Sequence, residues 1–201
     1  MGVHIFWDQR APRGLSRPVT EKLSTILNLS ISRIDAGMFP LEGFDSSRNQ
    51  YDAMKILTKM DIFRERNPEL FKPKDIDLEF YHQNHHIYEK FLLITEGDLF
   101  SPLTSFIFGL ANIKYGVAVV SATRLTNTFY NRYSDDDVLI KRLVTECAHE
   151  IAHLYGLEHC DRHECIMYCP NNLDDLDIKD ERFCADCYTE LAGRIGRGYP
   201  P

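Results

Sequence analysis

The residues most able to do chemistry in this 201-residue chain lie in the segment HEIAHLYGLEH, residues 149–159. His149 and His153 are four residues apart, so on an α-helix both imidazoles project from one face and can bind the same metal ion. Gly156 allows a sharp turn three residues later, which returns His159 as a third nitrogen ligand. The segment fits the pattern H-E-x-x-H-x-x-G-x-x-H, and this spacing predicts a catalytic zinc site.

A site of this kind performs hydrolysis with an activated water molecule. Three histidine ligands leave one zinc position open, and zinc lowers the pKa of a water molecule bound there to near neutrality. Glu150 follows the first ligand and is rotated from it by about 100° around the helix axis, so its carboxylate faces the cleft and not the metal. We therefore predict that Glu150 is the general base.

Cysteine spacing after this segment indicates a second zinc site, of the structural kind. Two short turns bring four thiolates into a closed tetrahedral site that has no position left for water. The four cysteines are Cys160, Cys165, Cys184 and Cys187. Because the C-terminal segment holds little apolar material, a metal bound there supplies folding free energy. Two alternatives stay open, in which Cys169 or His163 replaces one of the four cysteines.

The same residues carry a family resemblance. HEIAHLYGLEHC, followed by CIM at 165–167 and FCADC at 183–187, resembles the archaemetzincin family of zinc metallopeptidases, and GLANIKYGVAVVSATRL is similar to the family's segment before the active-site helix. The resemblance implies a peptidase with two Zn²⁺ ions, one catalytic and one structural, and a peptide or protein substrate. It also implies that Met167 lies on a tight turn beneath the histidines and packs there without binding the metal.

Apolar periodicity predicts the elements that must position these ligands. A strand, a helix and a second strand open the chain, a further helix follows Asp45-Ser46-Ser47, and three more strands come after it. The predicted ranges are Val3–Asp8, Thr20–Leu29 and Ser30–Ile34 for the opening elements, and Ile76–Tyr81, Phe91–Thr95 and Tyr115–Leu125 for the later strands.

The metal-binding helix is predicted to begin within residues 134–137, where side-chain oxygens cap the backbone and carboxylates meet the positive end of the helix dipole. Gly156 is its natural end, and Cys147 lies on its apolar stripe as a buried core thiol. We expect one α/β (α+β) domain with an upper lobe of residues 1–156 and a lower lobe of residues 157–201. The resemblance implies a twisted mixed sheet and backing helices above the cleft.

Composition and charge argue against several other classes. The chain has 30 acidic and 23 basic residues and a net charge of −7, which disfavours nucleic acid or an anionic membrane as a partner. The longest uncharged stretch, Leu99–Ile113, contains Pro102 and is shorter than the roughly 20 residues that cross a bilayer. The N-terminal sequence lacks a signal pattern, so we expect a reducing, cytoplasmic location.

Several other residues permit a functional interpretation. His82, His85 and His86 are predicted to lie in a solvated loop between strands, and Arg124 is predicted to be a surface residue. Val117–Ser121 is either a plain sheet strand or the strand that pairs with an extended peptide. Tyr168 is expected at the cleft rim, with donation of a hydrogen bond to the substrate as the alternative, and Cys169 is a candidate free thiol near the metal.

Two further functions compete with peptide hydrolysis. A zinc-containing protein that binds or senses a peptide without useful hydrolysis would keep the histidines, although such a site does not need a base at Glu150. A protein-docking zinc knuckle with vestigial catalysis would depend on the cysteines alone. Metal content and the appearance of new peptide termini separate these functions.

Overall fold

The computed structural model describes residues 2–34, 37–72 and 77–196. The strands, in chain order, are β1 (Gly2–Trp7), β2 (Ile31–Ile34), β3 (Phe44–Asp45), β4 (Gln50–Asp52), β5 (Glu89–Thr95), β6 (Leu99–Ser101), β7 (Thr104–Ile107), β8 (Gly109–Asn112) and β9 (Val117–Ser121). The helices are α1 (Ser16–Leu27), α2 (Ala53–Arg66), α3 (Pro68–Phe71), α4 (Leu78–Tyr88), α5 (Asp136–Leu154), α6 (Leu173–Ile178) and α7 (Ala185–Gly196).

A mixed sheet with the strand order β2-β1-β5-β9-β8 forms the centre of the molecule. The pairs β2-β1, β1-β5 and β5-β9 are parallel, whereas β8 is antiparallel to β9. In β5, Leu92 and Ile94 belong to the hydrophobic cluster that contains α1 and α5, and Phe91 and Leu93 belong to the cluster that contains α2. Since alternate side chains point to opposite faces, helices cover the sheet on both sides. The expected α/β fold with a mixed sheet and backing helices is confirmed.

Helix α5 begins and ends as the sequence predicts. Asp135 caps it, because its side chain accepts a hydrogen bond from the backbone N–H of Val138 at 3.0 Å. At the other end Gly156 takes the left-handed conformation, with φ of 85°, which a residue with a side chain rarely adopts. The chain therefore makes a sharp turn three residues after His153, the second histidine of the motif.

The region between α2 and β5 differs from the structure that its sequence predicts. The predicted strand Ile76–Tyr81 is wrong, because residues 78–88 form helix α4, while Ile76 lies outside the described residues. The Asp77 carboxylate accepts a hydrogen bond from the backbone N–H of Phe80 at 2.9 Å, which starts a helix where apolar alternation suggests a strand. The predicted loop for His82 is also wrong, since His82 is an exposed residue of α4. The side chains of His85 and His86 lie outside the described residues.

A small second sheet, with the order β3-β4-β6-β7, precedes the edge strand of the main sheet. Its last two strands and β8 come from the uncharged stretch Leu99–Ile113. None of the helices in the described part of the chain has the length and apolarity needed to cross a membrane.

The segment after Gly156 packs on the same core as α5. Leu173 and Leu176 of α6 and Leu191 of α7 are buried in the hydrophobic cluster that contains α1 and α5. The segment also lies against α5 through an ion pair between the buried Arg142 and the partly exposed Asp177, since Arg142 donates two hydrogen bonds of 2.7 Å to the Asp177 carboxylate. The division into lobes at residue 156 stays a prediction.

Candidate metal centres and the cleft between them and the sheet edge

The three histidines of the motif converge at the C-terminal end of α5. One ring nitrogen each from His149, His153 and His159 lies within 4.8 Å of the others. The turn at Gly156 brings the third ring back beside the first, and these two rings are nearly parallel with centroids 5.3 Å apart. The convergence that the spacing predicts is therefore present in the described structure.

Hydrogen bonds orient two of these rings as metal ligands. The Nδ1 of His149 is 2.8 Å from the carbonyl oxygen of Ile166, and the Nδ1 of His153 is 2.7 Å from that of Leu157. A carbonyl only accepts, so each Nδ1 carries the proton and each Nε2 has a free lone pair. The two Nε2 atoms are 3.0 Å apart. Two lone pairs at this distance repel each other unless a cation lies between them, so the donor set fits a shared metal ion.

Electrostatics keep these rings neutral. Burial lowers the pKa of His149 well below its usual value, and the positive charge of Lys179 lowers it further. Burial also lowers the pKa of His153 and of His159, and Lys179 acts in the same direction on both. Neutral imidazole is the form that binds a metal.

Glu150 lies next to the histidines under the edge of the sheet. Its side chain is 4% exposed and lines the same cavity as the three rings. Burial raises its pKa well above the usual glutamate value, the carboxylate of Glu146 raises it further, and Lys179 opposes both. A raised pKa brings a carboxyl group closer to the range in which it exchanges protons at neutral pH.

A cleft of about 770 Å³ separates the histidines from the sheet edge. Residues of β7 and β8 form its upper wall and α5 forms its floor, with Cys169, Pro170 and Asn171 at one side. The interpretation of Val117–Ser121 as a peptide-pairing strand is wrong, because this strand is β9, which is hydrogen-bonded to β5 on one side and to β8 on the other. The strand at this edge of the sheet is β8 (Gly109–Asn112), and β2 lies at the opposite edge.

The four cysteines form a second group, with Sγ atoms within 4.8 Å of one another. The group consists of Cys160, Cys165, Cys184 and Cys187 and contains neither Cys169 nor His163. The Cys165 Sγ accepts hydrogen bonds from the backbone N–H groups of Met167 at 3.4 Å and Cys184 at 3.3 Å. Burial acts to raise the pKa of the Cys184 thiol, but hydrogen bonds from Cys187 and the other cysteines outweigh it and lower that pKa to about 7.

The two groups are neighbours along the chain and are tied together by the backbone. His159 and Cys160 are consecutive, and the Cys160 N–H donates to the carbonyl of Met167 at 2.9 Å. Met167 is fully buried in the core cluster that contains α5. It also follows Ile166, whose carbonyl orients His149. These contacts fit the predicted tight turn beneath the histidines.

Other residues that the sequence singles out have structural partners. Arg124 donates two hydrogen bonds to the Asp98 carboxylate, at 2.7 and 2.9 Å, and is mostly buried rather than a plain surface residue. Tyr168 packs its ring against His163, with centroids 4.4 Å apart, and does not line the cleft. Cys147 is fully buried, as predicted.

Two charged residues near the site are not indicated by the sequence motifs. Glu146 lines the cleft one helical turn before Glu150. Its spacing of four residues on α5 is a signal that the sequence contains. Lys179 lies fully buried after α6, and its ammonium donates to the Tyr168 carbonyl at 2.8 Å. Nothing local in the sequence indicates that Lys179 faces the histidines.

Three converging imidazoles and an adjacent carboxylate, at the end of a helix beneath the edge of a mixed sheet, define a zinc metallopeptidase of the metzincin type. Comparison with known proteins gives the particular family. The chain belongs to peptidase family M54, whose family model matches residues 79–193.

Relatives and solved structures agree with this assignment. An archaemetzincin from Pyrococcus furiosus is 34% identical over 167 residues, which is 81% of this chain and 77% of that protein. The crystal structure of a zinc-dependent peptidase from Methanocorpusculum labreanum is 60% identical, with a TM-score of 0.93 over 94% of this chain and all of that one. An archaemetzincin structure from Methanopyrus kandleri has a TM-score of 0.74 over 98% of this chain and 96% of that one, at 24% identity, and so supports the fold.

Proposed function

We propose that this chain hydrolyses peptide bonds in a zinc-dependent reaction at the three-histidine site, with Glu150 as the general base. The observation that carries the proposal is the pair of Nε2 atoms of His149 and His153, 3.0 Å apart, on rings whose Nδ1 atoms each contact a carbonyl oxygen, beside a buried carboxyl group in an open cleft. Membership of peptidase family M54 supports the same activity, as does the zinc-dependent peptidase from M. labreanum.

We place two Zn²⁺ ions in the protein, one held by His149, His153 and His159 and one by the four cysteines of the second group. Zinc at the histidines supplies a Lewis acid that polarises a carbonyl and acidifies a water molecule. The four thiols offer a closed all-sulfur donor set, which suits a structural role. Such thiols stay reduced in the cytoplasm, and a cytoplasmic location is part of the proposal.

The edge strand β8 is the element that we expect to hold the substrate. One side of β8 pairs with β9, and its other side is the end of the sheet and faces the cleft. An extended peptide can add to such an edge through main-chain hydrogen bonds. Pairing would hold the peptide parallel to the sheet edge, with one carbonyl over the three histidines.

Glu150 moves the protons of the reaction. Its carboxylate takes a proton from the attacking water and then delivers it to the amine that leaves, which is most efficient when its pKa lies near the operating pH. Burial shifts its pKa upward, toward that range. The Lys179 ammonium opposes the effect of burial on the pKa of Glu150, which limits the cost of holding the carboxylate charged after the proton has left.

Replacement of Glu150 by glutamine tests the assignment. The Glu150→Gln variant should retain the zinc content of the parent, because no ligand changes, while cleavage of a peptide library falls by at least about 100-fold. Glu65→Gln, which removes an exposed carboxylate on α2, is the matched control and should cleave normally.

A Glu150→Gln variant that cuts as fast as the parent would show that the base is another group. If the parent binds library peptides, produces no new termini and is unaffected by a chelator, the protein is a peptide-binding or sensing protein and not a peptidase.

A further inference from the structure

Glu146 is a buried carboxylate on the cleft floor that the hydrolytic mechanism does not use. It lies four residues before Glu150 on α5, so the two side chains project from the same face of the helix. Glu146 is 4% exposed and lines the cleft. Its Oε2 atom has no hydrogen-bond partner among the described residues. A buried carboxylate oxygen without a partner is costly, so a rotation of the carboxyl group that brings this oxygen to a donor on a ligand in the cleft gains free energy.

Burial raises the pKa of the Glu146 carboxyl group, and the Lys179 ammonium acts in the opposite direction. The same ammonium donates a hydrogen bond to the Tyr168 carbonyl. A cationic group that a ligand brings to Glu146 would add to the effect of Lys179 and favour the charged carboxylate.

The walls of the cleft suit the stem of a long basic side chain. Apolar side chains from the β7–β8 segment and from the loop after α5 line it, among them Phe106, Ile107 and Leu157. A lysine or arginine side chain buries its methylene groups along such walls and presents its charge at the far end. Glu146, on the floor of the cleft, is placed to receive that charge.

We propose that Glu146 makes the cleft select substrates that carry a cationic group beside the bond to be cut. The cation is an alkylammonium or guanidinium, from a lysine or arginine side chain or from a free peptide N-terminus. The proposal rests on the proposed function, since it names the substrate class of the same site. Glu146 is in this account a specificity-determining residue that contacts substrate, distinct from the base Glu150.

Binding of zinc-chelating peptide analogues tests the proposal without turnover. The probes are dipeptide hydroxamates that are identical except for lysine or norleucine beside the hydroxamate, each with a free or an acetylated N-terminus. Calorimetry with the zinc-loaded parent should show at least about tenfold tighter binding of the probe that carries the recognised cation than of its neutral counterpart, either lysine against norleucine or the free amine against the acetylated amine. The reason is that a charge-assisted hydrogen bond replaces an unpartnered oxygen. In Glu146→Gln the difference should fall below about threefold.

The acetylated probes identify the source of the cation. If the acetylated lysine probe still binds more tightly than the acetylated norleucine probe, the recognised cation is the lysine side chain. If both the lysine and the norleucine probe bind tightly only with a free amine, the recognised cation is the peptide N-terminus. Glu65→Gln, which removes an equal charge from the exposed face of α2, should keep the preference of the parent. Zinc content and circular dichroism verify that Glu146→Gln is folded and loaded.

Two results would overturn the proposal: equal affinities of the four probes for the parent, or a preference that persists unchanged in Glu146→Gln. Both results are independent of the hydrolytic assignment, because the hydroxamates report affinity alone. A protein that prefers the cationic probes yet cleaves no peptide would refute the proposed peptidase activity and leave the role of Glu146 intact.

Discussion

Gly109 packs directly against the side chain of Glu150, where the edge strand β8 meets the helix that carries Glu150. A Cβ atom added at Gly109 would come within 2.8 Å of both Cγ and Oε1 of Glu150. Gly109 is the first residue of the edge strand β8, so the strand and the carboxylate can pack this closely only because the side chain is absent. The contact joins the element expected to bind substrate to the residue expected to act as base.

Replacement of Gly109 by alanine should therefore displace the Glu150 carboxylate while leaving the histidines in place. We expect kcat/KM for peptide cleavage to fall by about 100-fold, since a shift of about 1 Å in a reacting group has effects of this size. Gly193→Ala is the control, because nothing lies within 4 Å of a Cβ at that helical glycine. Full activity of Gly109→Ala at unchanged zinc content would mean that the contact does not position Glu150.

The cysteine group should account for one of two bound zinc ions. Cys184→Ser removes one donor and should lower the zinc content from two ions per chain to one, with a fall in melting temperature, because metal binding is coupled to folding. Cys169→Ser, which changes a thiol outside the group, should retain both ions. Metal analysis by mass spectrometry and thermal unfolding measure these outcomes, and two ions in Cys184→Ser would contradict the assigned ligands.

The ion pair between Arg142 and Asp177 should be a main attachment of α6 to α5. Arg142 is 3% exposed and also donates to the Leu125 carbonyl and to Asn127. In Asp177→Asn the buried guanidinium loses its counter-charge, and we expect the free energy of unfolding to fall by about 2 kcal/mol, less than for a fully buried pair because Asp177 is partly exposed. Asp174→Asn, on the exposed side of α6, should change it by less than about 0.5 kcal/mol in urea titrations.

Lys90 should make stability rise with pH on the alkaline side. It is 3% exposed on β5, and burial, with a further contribution from Arg64, lowers its pKa from 10.5 to about 8. The folded state thus disfavours the charged form of Lys90, which lowers the free energy of unfolding. This loss of stability is complete below pH 8 and disappears as the pH rises toward 10.5. Lys90→Met should be more stable than the parent at pH 7, by up to about 3 kcal/mol, and this gain should shrink by pH 10.

Urea unfolding of both proteins at the two pH values measures this effect. Lys114→Met, at an exposed position, is the control and should show no such pH-dependent difference. A gain for Lys90→Met that is equal at pH 7 and pH 10 would assign the effect to packing and not to the buried charge.

The parts of the molecule that the sequence predicts are the local ones. The convergence of His149 and His153 follows from helical spacing, and Gly156 reverses the chain as its lack of a side chain allows. Strands β5 and β9 are predicted because burial on both faces gives each a run of consecutive apolar residues, Phe91–Ile94 in β5 and Val117–Val120 in β9. Spacing likewise selects the four cysteines that come together, and the alternatives with Cys169 or His163 are not needed.

The parts that the sequence does not predict depend on pairing between distant segments. The sequence predicts strand β9, but it does not show whether β9 lies at the edge of the sheet. That depends on β8, which pairs with β9 and lies in the uncharged stretch Leu99–Ile113, where no strand is predicted. The contact between Gly109 and Glu150 joins residues 41 positions apart by number, and no local pattern contains it. The Lys179 ammonium lowers the pKa of His149, and its position relative to the histidines depends on how the segment after α6 packs. In α4, capping by Asp77 prevails over an apolar alternation typical of a strand.

The peptide bond between His159 and Cys160 connects a donor of one group directly to a donor of the other. Surface loops normally tolerate changes in length, but a residue inserted here would move one donor set relative to the other while leaving the spacing within each set unchanged. The Cys160 N–H, which donates to the Met167 carbonyl at 2.9 Å, would be displaced from this partner. A variant with one glycine inserted after His159 should therefore lose this backbone tie between the two groups, whereas the same insertion beyond Cys187 would spare it.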